Sequence, residues 1–280
     1  MPSLSTWCLG SGSPVDFARL IEDGDFSGTF LDASVSEMAL RELLTVLRRP
    51  IVGMEAPCPA GRTQRAPRLA AQDREERHAA INSTLKTLQL ASDQNAGVVV
   101  VKLGSIDALR SKWPRVSRAF STGQWDDDDA ERLHEERARW SETALDWARF
   151  GLEPLLARAA GLQVRIALAN RPRWFQIPDD PEITYLLEEF RGAPLTIWLD
   201  PAARHARKAL DPSSGLREQD SKLLAGIWLS DACGLMTGLP WKIGEVNHAE
   251  VLSALPANAL RVTHASPLAR RSELIATARG

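Results

Sequence analysis

The sequence predicts a single soluble α/β domain, a (β/α)8 TIM barrel spanning residues 1–280, and three observations carry that expectation. Eight short apolar runs punctuate the chain. Amphipathic segments long enough for one helix separate most of them. The length suits a closed α/β barrel, which typically takes about 250 residues. Alternating β and α units imply a parallel sheet, and eight such units close on themselves. Neither a second domain nor a fine-grained repeat is evident.

The first run is Leu4–Leu9, ending in the flexible Gly10-Ser-Gly12. The second is Gly28–Asp32 and the third Ile51–Glu55. The fourth, Gly97–Lys102, holds four valines in a row, the signature of a strand buried on both faces. Val164–Ala169, Leu195–Asp200, Gly226–Asp231 and Leu260–His264 complete the set. Between them, Asp73–Ala91 carries Ile81, Leu85 and Leu88 at helical spacing, and Ala130–Trp147 aligns Leu133, Trp140, Ala144 and Trp147 on one stripe. Asp180–Phe190 forms a further helix, following a proline that suits a helix start. The stretch Leu103–Leu162 is too long for one crossover helix. Within it, Asp126–Asp129 reads as a solvated loop or a helix start, and Gly151 and Pro154 as helix breakers, unless Pro154 opens a new first turn. The Pro-, Gly-, Ala- and Arg-rich segment Cys58–Ala71 reads as a mobile loop.

A formal net charge of −2 argues against a nucleic-acid binder, which would show a basic excess. The three cysteines, Cys8, Cys58 and Cys233, are odd in number and far apart, as in a reduced cytoplasmic protein. No basic segment followed by an apolar run suggests a signal peptide, and no apolar stretch is long enough for a membrane span. The expected partner is a small-molecule ligand at the barrel mouth, without nucleic acid or membrane and with a homodimer left open.

Residues at the strand ends should share the face where barrels do chemistry. Lys102 ends the most buried strand. It either pairs with Glu55 or Asp200 as structural glue, or polarises a substrate carbonyl or forms a Schiff base. His264 could act as a general acid or base, or as a hydrogen-bonded structural residue. Glu55 carries the same two readings. Asp200 and Asp231 are candidate bases or helix and loop caps. Trp7 and Trp198 read as core packing. Trp174 and Trp241 follow strands five and seven, where aromatic faces suit sugars, rings or peptides. Arg62, Arg65 and Arg68 could clamp a phosphate or carboxylate, or could merely solubilise their loop. Cys233 reads as an inert thiol.

Strand five continues as Ala169-Asn170-Arg-Pro, strand six as Leu-Asp200-Pro-Ala-Ala203, and strand seven as Trp228-Leu-Ser-Asp231-Ala-Cys-Gly, followed by Thr237-Gly-Leu-Pro-Trp-Lys-Ile-Gly244-Glu-Val. Together these resemble the sugar isomerase and epimerase branch of the xylose-isomerase-like superfamily, which also contains metal-dependent AP endonucleases. The resemblance implies a divalent cation at the mouth, bound by Glu-Asn ending strand five, Asp-x-x-His leaving strand six, a His in strand seven and a Glu ending strand eight. Matched residue by residue, these positions hold Ala169 and Asn170, Asp200 and Ala203, Trp228, and His264. Alanine offers no lone pair and tryptophan only an indole N–H, so these side chains cannot hold a cation. Lys102, where a His-x-Gly often ends strand four, would repel one. The expectation is a barrel without metal or other cofactor. It would catalyse metal-independent isomerisation or epimerisation of a small polar carbonyl compound through Lys102, Asp200, His264 and Glu55. Asn170, Trp174, Trp228, Asp231, Trp241, Arg62 and Arg65 would bind substrate. The alternative is a catalytically inactive barrel that binds a ligand or partner in a biosynthetic pathway. AP-endonuclease chemistry ranks last, since it needs a metal cluster and a basic DNA-facing surface.

Overall fold

The computed structural model describes residues 1–10, 12–61, 66–212, 215 and 218–279. Eight parallel strands close into a barrel in sequential order: β1 (Ser3–Ser5), β2 (Thr29–Leu31), β3 (Ile51–Glu55), β4 (Val98–Val101), β5 (Arg165–Ala169), β6 (Leu195–Leu199), β7 (Leu224–Leu229) and β8 (Leu260–Thr263). The β1–β8 seam pairs Ser3 with Val262 and Leu4 with Thr263. The helices are α1 (Pro14–Asp23), α2 (Glu37–Val46), α3 (Arg74–Asp93), α4 (Asp107–Arg110), α5 (Trp113–Ser121), α6 (Asp127–Leu162), α7 (Asp180–Glu189), α8 (Pro201–Leu210), α9 (His248–Ser253) and α10 (Arg271–Arg279). Among the described residues no helix is long and apolar enough to cross a membrane.

Local chemistry fixes where the helices begin. The side chains of Ser13, Ser36, Asp73, Asp126, Asp179, Asp200 and Asn247 each accept a backbone N–H from the following first turn. Such caps contribute about 1 kcal/mol each. The acidic run at Asp126–Asp129 is thus a helix start, with Asp126 as the cap. The expected first strand stops early, because Ser5 accepts the Trp7 N–H and turns Thr6–Leu9 into a 3-10 helix. Gly151 and Pro154 do not break α6. Leu152, Leu155, Leu156 and Ala159 continue its buried stripe onto the barrel, and that burial outweighs the roughly 3 kcal/mol a helix-interior proline costs. Gly151 lets the helix pass close to Leu69: a Cβ would lie 3.0 Å from the end of that side chain.

The barrel interior is filled by Phe30, Val98, Val100, Ala167, Ala169, Trp198, Ala225, Trp228 and Val262. Large and small residues alternate because the indoles need room. A Cβ at Gly226 would meet the Trp198 ring at 2.4 Å. Phe30, Trp198 and Trp228 pack together with ring centroids 5.0 to 6.4 Å apart. Trp228 therefore forms the floor on which the barrel mouth is built.

Candidate active site

Strand ends place the charged residues on one rim. Asp32 follows β2, Glu55 ends β3, Lys102 follows β4, Asn170 and Arg171 follow β5, Asp200 follows β6, and His264 follows β8. All but Asn170 line a cavity of about 510 Å3 at the C-terminal face, together with Trp7, Ser230, Thr237 and Gly238. That size lies within the range of small-molecule sites.

Lys102 and Glu55 form the centre. The ammonium Nζ lies 2.5 Å from Glu55 Oε1, so the structure supplies the first of the two partners that the sequence offered. Nζ also stands 5.0 Å over the Trp228 ring, a cation–π contact. Glu55 is almost wholly buried, and its other oxygen, Oε2, has no hydrogen-bond partner among the described residues. Burial drives the Glu55 carboxyl up from its ordinary 4.5 to about 7, against the opposing pull of Lys102. A carboxyl poised there exchanges a proton readily at neutral pH.

His264 is held differently. Its ring is sandwiched between Trp7, at 4.3 Å between centroids, and Trp228, at 4.7 Å. Its Nδ1 lies 3.0 Å from Ser5 Oγ. Burial drives its pKa down from 6.5 to about 3, and the positive charges of Lys102 and Arg171 add to that shift. The imidazole is therefore neutral at physiological pH, a hydrogen-bonding group rather than a cationic acid. Asp200 caps α8 by accepting the Ala203 N–H at 3.0 Å and the Ser230 hydroxyl at 3.3 Å. Burial raises its pKa, and the Ala203 N–H, Arg171 and Lys102 oppose that shift.

Several expected ligand-binding residues are used elsewhere. Asn170 lashes β5 to β6, donating to the Asp200 carbonyl at 2.9 Å and accepting the Asp200 N–H at 2.8 Å. Asp231 anchors the loop after β7: its Oδ1 accepts the N–H groups of Ala232 and Val246, and its Oδ2 lies 2.7 Å from His248 Nε2. Burial raises the pKa of this carboxyl, but the N–H groups of Gly244, Val246 and Ala232 outweigh it and hold the carboxyl low. Gly244 must be glycine, since a Cβ would approach the Ala232 carbonyl oxygen to 2.2 Å. Trp241 packs on His248 with centroids 3.7 Å apart, and Trp174 is buried beneath the loop after β5. Trp228 is beneath the mouth rather than in its wall. Arg62 and Arg65 lie outside the described residues. Arg68 is occupied by Glu76, Asp107 and Ser105.

Three wall residues escaped the sequence reading. Trp7, assigned to the core, is half-buried and lines the cavity beside His264. Asp32 ends a weak apolar run that gave no hint of a site; its Oδ1 accepts the Ser34 N–H at 2.8 Å. Arg171 sits in Asn170-Arg-Pro, where the resemblance drew notice to the asparagine alone.

The positions at which the resemblance implies metal ligands can be tested directly. Ala169 lies in the barrel-interior cluster, Ala203 is buried in the first turn of α8, Trp228 is stacked under His264, Asn170 is bonded to the Asp200 backbone, and Asp200 caps α8. Among the described residues, no three His, Cys, Asp or Glu side chains converge in a way that could hold a metal ion.

No protein-family model matches the chain, and no curated protein matches it in sequence. Solved structures do match along its whole length. The 3-keto-D-glucoside 4-epimerase YcjR from E. coli is 12% identical, with a TM-score of 0.69 over 99% of this chain and 98% of its own. A D-tagatose 3-epimerase-like protein is 15% identical, with a TM-score of 0.71 over 99% and 94%. An IolI protein with a bound zinc atom is 12% identical, with a TM-score of 0.64 over 99% and 94%. At such identities the likeness concerns the fold, and it agrees with the closed parallel barrel and the order of its strands. The described residues fold as a closed barrel of eight parallel strands ringed by helices, the fold these sugar epimerases also have.

Proposed function

We propose that the chain is a sugar isomerase- or epimerase-like enzyme in which the Lys102–Glu55 pair works on a small polar carbonyl compound without a divalent cation. One observation carries this reading: a buried carboxylate with one oxygen on an ammonium and the other unpartnered, at the wall of a ligand-sized cavity. Isomerisation and epimerisation beside a carbonyl both begin by breaking a C–H bond on the adjacent carbon. The proton passes to Glu55 Oε2, and the electron pair becomes a C=C bond as negative charge gathers on the former carbonyl oxygen. Lys102 has N–H donors beyond the one facing Glu55 and can stabilise that oxygen, the task a Lewis-acidic metal performs elsewhere. Return of the proton from Glu55 to the former carbonyl carbon, while the proton of the adjacent hydroxyl passes to the former carbonyl oxygen, gives an isomer; delivery of a proton from solvent to the opposite face of the original carbon, with Glu55 releasing its proton to solvent, gives an epimer. Neutral His264 and the Asp32 and Asp200 carboxyls are placed to hydrogen-bond substrate hydroxyls.

The test is incubation with ketoses and aldoses in D2O, read by NMR for deuterium at the carbon next to the carbonyl. Exchange should persist in EDTA and vanish in Glu55→Gln and Lys102→Met. Borohydride should trap no adduct, because an ammonium facing a carboxylate is a poor nucleophile. Activity abolished by EDTA and restored by Mn2+ would refute the cation-free part of the reading.

A further inference from the structure

The rim beside Lys102 and Glu55 opens into a second cavity of about 290 Å3, and the two share Ala33, Glu55, Pro57, Ala66, Lys102 and Arg171 in their walls. The charge balance of this annex is lopsided. Among the described residues Glu55 is its only acidic lining residue and is already paired with Lys102, whereas Arg68, Arg110, Arg171 and Arg173 all line it. Arg68 is neutralised by Glu76 and Asp107. The other three arginines form no hydrogen bond or ion pair through their side chains with any described residue. For Arg171 this is costly: burial lowers its pKa, and neighbouring Arg173 adds to the effect, while Glu55 and Asp200 oppose it only at a distance. A half-buried guanidinium with no carboxylate against it is normally avoided.

The segment bearing Arg171 and Arg173 is also held rigid from below. Arg137 donates to the carbonyls of Trp174 at 2.7 Å and Gln176 at 3.1 Å, and Arg207 donates to that of Arg173 at 3.0 Å. Arg137 and Arg207 are themselves fixed by Asp179 and Glu182. An antiparallel ribbon pairs Gly104–Ser105 with Gln176–Ile177, and the Arg173 guanidinium lies 5.7 Å over the Trp113 ring. Two buried arginines therefore hold the backbone from which half-buried Arg171 and exposed Arg173 project, neither paired with a carboxylate among the described residues. Such preorganisation lowers the entropic penalty of binding.

We infer that Arg110, Arg171 and Arg173 form an oxyanion subsite, and that the substrate is an anionic sugar derivative whose phosphate or carboxylate docks there while its carbonyl end reaches Lys102 and Glu55. Guanidinium groups suit both oxyanions because they donate paired, parallel N–H groups. The inference rests on the mouth being a substrate site, but not on the proton chemistry assigned to Glu55.

Calorimetric titration of the full chain tests it, with inorganic phosphate, fructose 6-phosphate, galacturonate and fructose as probes. Phosphate should bind, and the more so at low ionic strength. At least one of the two anionic sugars should bind about tenfold or more tightly than fructose, as expected for losing one or two charge-assisted hydrogen bonds. Whichever anionic sugar binds more tightly identifies the oxyanion. Arg171→Gln and Arg173→Gln should remove that advantage, whereas Arg115→Gln on exposed α5 should not. Circular dichroism melts would show that the variants fold. Lys102→Met should retain phosphate binding even if it abolishes exchange in D2O, so failure of the chemistry and failure of the subsite give different results. Equal affinities for charged and neutral sugars, or an unchanged advantage in a folded Arg171→Gln/Arg173→Gln protein, would overturn the inference.

Discussion

Glu55 and His264 are both driven towards their neutral forms by burial, yet the two shifts bear on stability in opposite directions. Between 4.5 and about 7 the folded protein keeps a proton on Glu55 that the unfolded chain has released. The Glu55 contribution is thus present at low pH and lost as pH rises through about 7, by roughly 3 kcal/mol. For His264 the unfolded chain takes up a proton near 6.5 that the folded protein refuses until about 3. Its contribution is present above 6.5 and lost as pH falls. In the overlap the two trends offset, so the wild-type protein should show little change in urea-unfolding free energy from pH 4.5 to 6.5. Glu55→Gln should expose the His264 trend, with stability rising steadily with pH across that window. Identical pH profiles for wild type and Glu55→Gln would show that Glu55 is not titrating as described. The sequence identified both residues because each ends an apolar run. It could not show that two indoles enclose His264, because Trp7 and Trp228 lie at opposite ends of the chain.

At the scale of elements, the loop after β5 depends on a salt-bridged prop that no local pattern announces. Arg137 lies in the middle of α6 and reads as one more charged helical residue, yet it is buried against Glu182 and Asp179 and carries two loop carbonyls. Removing one side of such a network typically costs about 3–5 kcal/mol, because the remaining carboxylates stay buried without compensation. Arg137→Met should therefore lower the melting temperature by several degrees or more. It should also weaken phosphate binding without touching the cavity wall, and a melt superimposable on the wild type would sink this account. The strands were legible because buried parallel strands are continuous apolar runs, and valine and isoleucine mark them plainly. The course of α6 was not, because proline and glycine are local signals, whereas the leucines that override them act through a surface the sequence does not display. The same limit hid Arg171: its importance comes from lacking a partner, and partners are tertiary facts.

Barrel closure brings β1 against β8, and with it Ser5 and Trp7 against His264, residues that are about as far apart in sequence as the chain allows. Order of elements was enough to predict that strand-end residues share one face; it could not give their spacing around the rim or which of them turn inward. Cys8 lies at this seam, its Sγ 3.7 Å from the Thr263 carbonyl oxygen, and burial pushes its thiol up to about 12. Cys58 is likewise buried, and Cys233 is exposed. A thiol reagent should label one cysteine per folded chain, Cys233, with Cys8 reacting only when the seam opens. Rapid labelling of Cys8 in the native state would show that the barrel is not closed as described. The stacked pair at the seam also gives the mouth an optical property. Trp7 has one face on His264 and an edge on the cavity, so whatever enters changes the surroundings of a single indole. Its emission, isolated by difference against Trp7→Phe, makes the molecule its own reporter of occupancy and needs no attached dye.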